Sequence, residues 1–376
     1  MKRYFALIIA LMFISLSAYS ESAAVSPMLS ADGAHILALD SNGNVWAWGS
    51  NQRGESASGK ADERILSPEI AFQNARFVSA GQQFSMVIDA KGDLYAWGDN
   101  REKQIFASQD EAVRTPALLM ENVLYADACD SLAACITEDG ECFFWGNGAD
   151  KTAISQNAVK CEVGMDFIII LTKDGKVYER AFGEGENALM LENATDISAS
   201  GESRYALTSD GSLYAWGAAA SDGRLAMSGS TKFLSAPERV FQKDNLSALR
   251  SGLTFSGFLT NKSELYLWGT LYSYMTAFDG NGTALAALVD GALLSYGHEP
   301  IRLYENVKDA AFGDAFIALL FESGEVYTWG SNDQGQLGNG SYTLISLLEA
   351  EDDEGYEIEV ISSADSVFPN IPITIK

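Results

Sequence analysis

The chain has 376 residues, 47% of them apolar, which is ample for a large core; 51 acidic against 25 basic residues give it a formal charge of −26. A surface of that sign gains nothing from counterion release on nucleic acid and is repelled by anionic lipid, so neither is an expected partner.

Residues 1–24 have the order of an export signal. Lys2-Arg3 precede an apolar run from Tyr4 to Ala18, and Ala18-Tyr19-Ser20 or Ser22-Ala23-Ala24 suit cleavage. The run is short for a membrane span, which needs about 20 residues, and no Cys lies near the cleavage region to take a lipid anchor. The mature chain is expected to begin near Glu21 or Val25, outside the cytoplasm, with no membrane insertion, as a monomer.

From residue 25 onward one unit recurs: an apolar strand, a turn, and a second strand ending in aromatic-Gly. The endings are Trp48-Gly49, Trp97-Gly98, Trp145-Gly146, Phe182-Gly183, Trp216-Gly217, Trp268-Gly269, Tyr296-Gly297 and Trp329-Gly330. The turns read Asp40-Ser41-Asn42-Gly43, Asp89-Ala90-Lys91-Gly92, Asp139-Gly140, Asp174-Gly175, Asp210-Gly211, Asp290-Gly291 and Ser323-Gly324. Asp, Asn and Gly tolerate the positive φ of a tight hairpin. An Asn precedes each of six hairpins at a near-constant distance (Asn74, Asn122, Asn157, Asn193, Asn245, Asn306), suited to a turn between an outer strand and the next inner one. Pro68, Pro116, Pro237 and Pro300 open apolar segments just upstream; lacking an N–H, Pro belongs on an edge strand. Each unit is thus an inner strand, a hairpin pair and a Pro-led outer edge, which is the plan of a β-propeller blade.

The segments VYTWGSNDQGQLGNG (326–340) and VWAWGSNQRGE (45–55) resemble the repeats of the regulator of chromosome condensation family, and the resemblance runs from residue 25 to about 340. It implies an all-β, seven-bladed propeller that works by binding partners. The hairpin count is eight, because Gly280 to Gly297 fits both spacings, and the count leans the expectation to eight blades. The whole of 25–376 reads as a single propeller, with an acidic C-terminal segment over 341–368. Residues 369–376 supply a closing strand, inner or outer, expected to pair with the N-terminal region.

Export would place Cys129, Cys135, Cys142 and Cys161 in an oxidising space. None has metal-type spacing, and three pairings are open. Cys135 and Cys142 flank the Glu138-Asp139-Gly140 turn and could face each other across the hairpin; Cys129 and Cys161 hold near-equivalent places in successive repeats. Four buried free thiols are the alternative.

Catalytic chemistry finds little support. The two histidines, His35 and His298, are far apart, and His35 reads as a packing residue. No Ser/His/Asp order, HExxH or Cys/His cluster occurs, and no cofactor or metal is expected. Gly335 to Gly340 follows a strand but opens no helix, so it reads as a loop rather than a phosphate cradle. Asp279 to Thr283 resembles the start of a calcium loop but lacks the later ligands. The run Glu349, Glu351, Asp352, Asp353, Glu354, Glu357, Glu359 reads as a solvated loop, with a divalent-ion site or a dock for a basic partner as the alternative. An aromatic ring followed by Gly ends every copy, as Trp48-Gly49, Trp97-Gly98, Trp145-Gly146, Trp216-Gly217, Trp268-Gly269 and Trp329-Gly330 in six of them, and so answers a packing need.

The expected function is a secreted, non-enzymatic scaffold that binds an unknown protein partner through variable loops, notably 50–67, 99–115 and 349–359. The alternatives are an inhibitor of an extracellular hydrolase, as in secreted β-lactamase-inhibitor relatives of the family, or an enzyme or glycan binder using the central channel.

Overall fold

The computed structural model describes residues 25–56, 59, 62–183, 185–217, 224–227, 233–253, 255–269, 277–278, 284–285, 297–314, 316–342, 347–351, 357–361 and 373–374. β1 (Met28–Asp32), β2 (His35–Leu39), β3 (Val45–Ser50) and β4 (Arg64–Phe72) form one antiparallel sheet in sequence order. The same plan gives β5 (Ala75–Ala80), β6 (Phe84–Asp89), β7 (Leu94–Asp99) and β8 (Ala112–Met120), then β9 (Val123–Cys129), β10 (Leu132–Thr137), β11 (Cys142–Gly146) and β12 (Ala149–Ser155). A fourth sheet holds β13 (Ala158–Val163), β14 (Phe167–Thr172), β15 (Val177–Ala181) and β16 (Ala188–Leu191), and a fifth β17 (Ala194–Ser200), β18 (Ser203–Thr208), β19 (Ser212–Gly217) and β20 (Leu234–Gln242).

In the sixth sheet β21 (Leu246–Ser251), β22 (Phe255–Thr260) and β23 (Leu265–Gly269) take a later strand as their edge. Between them lies a separate small hairpin, β24 (Ala277–Phe278) with β25 (Ala284–Leu285), and the edge strand is β26 (Gly297–Tyr304). The seventh sheet has β27 (Val307–Phe312), β28 (Phe316–Phe321) and β29 (Glu325–Gly330). A second small hairpin, β30 (Leu347–Glu351) with β31 (Glu357–Ile361), precedes its edge strand β32 (Ile373–Thr374). Among the described residues there is no helix.

The propeller therefore has seven blades, and the lean to eight is corrected. Gly297, read as closing an eighth hairpin, instead starts β26 and pairs with Gly269 as the outer strand of blade 6. The other residues of that hairpin, and the calcium-loop candidate 279–283, lie outside the described residues except for β25. The closing segment is corrected too: Ile373 and Thr374 pair with Val326 and Glu325 of β29, not with the N-terminal region. The acidic run is not wholly a loop, since Glu349 sits opposite Glu359 and Glu351 opposite Glu357 in the β30–β31 register.

Local chemistry explains the regularity. All six inter-blade Asn residues are left-handed, with φ between 58° (Asn157) and 72° (Asn245), a conformation Asn tolerates better than other side chains. The residue after Asn then donates its N–H to the preceding hairpin turn, as Ala75 does to the Gly43 carbonyl at 2.9 Å and Val123 to that of Gly92 at 2.7 Å. The four prolines sit within β4, β8, β20 and β26, all outer edges.

Seven buried clusters, one per pair of neighbouring blades, make up the core. The last joins Leu29, Ile36 and Trp48 of blade 1 to Phe316, Leu320 and Val326 of blade 7. The ring closes there by side-chain packing, together with the Leu29 N–H donated to Asp309 Oδ2 at 2.9 Å. Alternating strand direction fixes what each end of the ring carries. The hairpin turns and the Asn turns share one end, the turn end. The inner-strand turns and all connections between third and outer strands share the other, the loop end.

Candidate functional site

The Trp residues are placed by what their indoles bind. Trp48, Trp97, Trp145, Trp216 and Trp268 are buried, each in the seam with the preceding blade. Trp48 Nε1 donates to the Gln336 carbonyl at 2.8 Å, Trp97 to Glu55 at 2.7 Å, Trp145 to Gln104 at 2.9 Å and Trp268 to Arg224 at 3.0 Å. Each acceptor belongs to the loop that leaves the previous blade's third strand. The glycine after Trp is needed because that strand end bends back: Ser50 N–H bonds to the Ala34 carbonyl at 2.9 Å, and a Cβ on Gly49 would lie 2.4 Å from that oxygen.

In three of these four loops an Asn at the start, Asn51, Asn100 or Asn332, fixes the shape. Asn100 Oδ1 accepts from Ile105 N–H at 2.7 Å and its amide donates to the Asp110 carbonyl at 2.8 Å; Asn332 does the same with Leu337 and Ser341. The first part of the long connections is thus a buried clasp: Asn51, Glu55, Ser56, Gln104 and Ile105 are all nearly inaccessible. Part of the connections 50–67 and 99–115, expected as variable binding loops, is therefore structural. Gly335-Gln336-Leu337-Gly338 is the same clasp in blade 7. The recurring Ser/Asp-Asn after Trp-Gly, at 50–51, 99–100 and 331–332, is its mark in the sequence.

Two seams depart from the rule together. Blade 3 has only Asn147-Gly148 between β11 and β12, so it offers no clasp, and the next blade has Phe182 where the others have Trp. At the following seam a carboxylate replaces the carbonyl: Glu179 Oε2 accepts from Trp216 Nε1 at 2.6 Å while its Oε1 accepts from Arg204 at 2.9 Å. Arg204 also stacks 3.3 Å over the Phe167 ring.

The central channel has a volume of about 230 Å³ and is lined by residues of all seven inner strands. Its charges are spent on one another and on backbone. Lys160 donates to Asp196 Oδ1 and the Ile197 carbonyl, both at 2.7 Å, with Glu162 at 3.2 Å; Arg250 grips Asp309 at 2.7–2.8 Å. The carboxylates also link blades, Asp127 accepting from Val163 N–H at 2.7 Å and Asp196 from Leu249 N–H at 2.8 Å. Burial, then the neighbouring Glu162, pushes the Asp127 carboxyl well above its ordinary range. His35 is buried, with Nε2 2.9 Å from Ser85 Oγ, and burial lowers its pKa to about 4.

Over the loop end of the channel, turns from several blades interlock. Asp130 N–H donates to Asp32 Oδ2 at 3.0 Å, Asp314 N–H to the Gly33 carbonyl at 3.0 Å, and Gln82 N–H to the Asp130 carbonyl at 3.2 Å. Burial, then Asp314, raises Asp32 to about 7. Across the same face, over blades 4 to 6, Met165 and Leu253 stand exposed on either side of Gly201, and Phe233 is 63% exposed before β20. The loop end is thus acidic on one side and apolar on the other.

The four cysteines are free and buried. Cys135 and Cys142 do not face each other: Cys135 lies opposite Phe143 and points to the blade 2 seam, whereas Cys142 lies opposite Ile136 and points to the blade 4 seam. One-residue offset on adjacent strands puts them on opposite faces, so the hairpin bridge is not made.

Models of the regulator of chromosome condensation (RCC1) repeat match residues 33–55, 76–104 and 323–347, which include three of the clasp loops described above. Those three segments are RCC1 repeats. Of the curated proteins, this chain is similar to the secretion-regulating guanine nucleotide exchange factor of Bos taurus, 32% identical over 200 residues, covering 46% of this chain and 41% of that protein. It is also similar to the E3 ubiquitin-protein ligase HERC2 of Homo sapiens, 27% identical over 187 residues, covering 46% of the chain but 4% of that protein. The matched part is thus less than half of either relative. Of the solved structures, Prp20p of Saccharomyces cerevisiae superposes with a TM-score of 0.66 at 18% identity, over 93% of this chain and 87% of that one. Human WBSCR16 gives 0.65 at 17%, over 80% and 91%. At those identities the likeness concerns the propeller fold alone.

Proposed function

We propose that this chain is an exported, non-enzymatic propeller that recognises a partner protein with the loop end of its ring. The observation that carries the reading is the contrast between the two ends. The turn end repeats one design, hairpin turn plus left-handed Asn, from blade to blade. The loop end varies, from Asn147-Gly148 in blade 3 to the segment between β29 and β32 in blade 7. Rigid sheets carrying divergent connections suit recognition.

The channel gives an enzyme little to work with, since Lys160 and Arg250 are held by carboxylates. Prp20p, described with its binding properties to Gsp1p and histones, is a precedent for protein recognition by a ring of this plan. The exposed Met165, Leu253 and Phe233 beside the Asp32 cluster suit a partner that presents apolar side chains next to a basic patch. Export rests on the order of residues 1–24.

The test is purification of the mature protein from its host with whatever it binds, followed by affinity measurements on two variants. A Met165→Ser/Leu253→Ser/Phe233→Ser protein should bind at least about tenfold more weakly. Altered hairpin turns at Lys91 and Lys173 should leave affinity unchanged. Loss of binding through the turn end alone would overturn the reading, and Met1 on the purified protein would overturn export.

A further inference from the structure

Each seam brings the first core residue of a third strand into one buried cluster with the middle residue of the next inner strand. These pairs are Val45 with Val78, Leu94 with Ala126, Val177 with Ile197, Leu213 with Leu249, Leu265 with Ala310 and, at closure, Val326 with Leu29. Between blades 3 and 4 the same two positions hold Cys142 and Cys161. Both are 0% exposed and packed within that one cluster. Cys129 shares that cluster but sits at the far end of β9, opposite Leu132, while Cys135 faces the other seam. This is also the seam without a clasp, where Asn147-Gly148 replaces the loop and Phe182 replaces Trp.

We propose that Cys142 and Cys161 form a disulfide that staples blade 3 to blade 4 when the chain folds in an oxidising compartment. The staple stands where the indole clasp is missing. One cysteine thiolate attacks a disulfide oxidant, such as oxidised glutathione, and expels one of its halves as a thiolate. The other cysteine, as thiolate, then displaces the second half from the mixed disulfide. Two S–H bonds are lost, one S–S bond forms, and the oxidant is reduced to two thiols. In the closed seam, burial and the facing Cys142 push the Cys161 thiol well above its ordinary pKa, so it is a poor nucleophile there. The exchange therefore belongs to folding, before the blades close, and the finished bond is shielded from reductant. Its place in the cell rests on the export reading; its chemistry does not, and refolding in vitro separates the two.

The full-length chain is denatured, reduced, and refolded in a mixture of reduced and oxidised glutathione, then alkylated and cut after Lys, Arg and Glu. Cleavage after Glu141, Lys151 and Lys160 isolates the two cysteines. The expected product joins the fragment 142–151 to the fragment beginning at Cys161, with Cys129 and Cys135 alkylated. The oxidised protein should melt at a higher temperature than the reduced one. That difference should vanish in Cys142→Val/Cys161→Val, which installs the residues of the first seam, and persist in Cys129→Ser/Cys135→Ser. Bridges to Cys129 or Cys135, or four alkylated cysteines with a melting temperature indifferent to oxidant, would overturn the proposal.

Discussion

Two residues of the clasp separate packing from hydrogen bonding. Trp97 fills a seam and donates to the Glu55 carbonyl, which also accepts from Ser85 Oγ at 2.8 Å. Trp97→Ala should cost roughly 3–5 kcal/mol in chemical denaturation, since it opens a cavity. Trp97→Phe keeps most of the volume and leaves that carbonyl one donor, so its cost should be nearer about 1–2 kcal/mol; equal losses for the two variants would contradict the clasp. Glu55 itself occupies the place of Gln104 and Gln336. Burial pushes its carboxyl above the usual range, partly offset by the Ser50 hydroxyl and backbone N–H groups. A raised folded-state pKa means that the carboxylate is disfavoured by folding, a penalty absent below the unfolded pKa and growing as pH rises through the folded one. Glu55→Gln should therefore raise the melting temperature at neutral and alkaline pH and leave it unchanged in acid. A gain confined to acid would have the wrong sign.

At the scale of elements, the first part of each long connection acts through its side chains and the described remainder through its backbone carbonyls, such as those of Asp62, Glu63, Asp110 and Glu111. Replacing 57–63 or 107–111 by Gly-Ser linkers of equal length, which keeps the backbone carbonyls that Asn51 and Asn100 bond, should leave the thermal transition nearly intact. Replacing 51–56 or 100–106 should lower it by several degrees, Phe106 packing edge-on against Trp145. The strands, hairpin turns, Asn turns and Pro edges were legible because each has a residue type that the backbone geometry demands. Gly280 to Gly297 shows where that legibility ends. Turn spacing and apolarity copy a blade hairpin, but blade membership is decided by which strand Gly297 pairs with, a long-range choice that local pattern does not encode. The Cys135–Cys142 expectation failed at the same level. Flanking a turn brings two residues close in sequence, yet a one-residue offset sends them to different seams. The clasp is half legible: Asn51, Asn100 and Asn332 recur two residues after the Trp-Gly pair, but the acceptors are backbone carbonyls, which leave no mark in the sequence.

For the whole molecule, closure needs no strand shared between the two chain ends. Packing of Leu29, Ile36 and Trp48 against Phe316 and Leu320, with Trp48 bonded to Gln336, joins first blade to last. Truncation before Ile373 should therefore lower the melting temperature and speed amide exchange in β29, while β1 keeps its protection; early loss of β1 would show that the C-terminal segment closes the ring. The charged channel braces neighbouring inner strands, and the loop end is where the blades differ. Hydrogen–deuterium exchange of the mature protein with and without its bound partner tests the central claim most directly. New protection is predicted at the inner-strand turns and clasp-loop tips of the loop end, around 164–166, 201–202, 252–253 and 233. Protection confined to the hairpin and Asn turns around 40–44, 89–93 and 120–123 would contradict it.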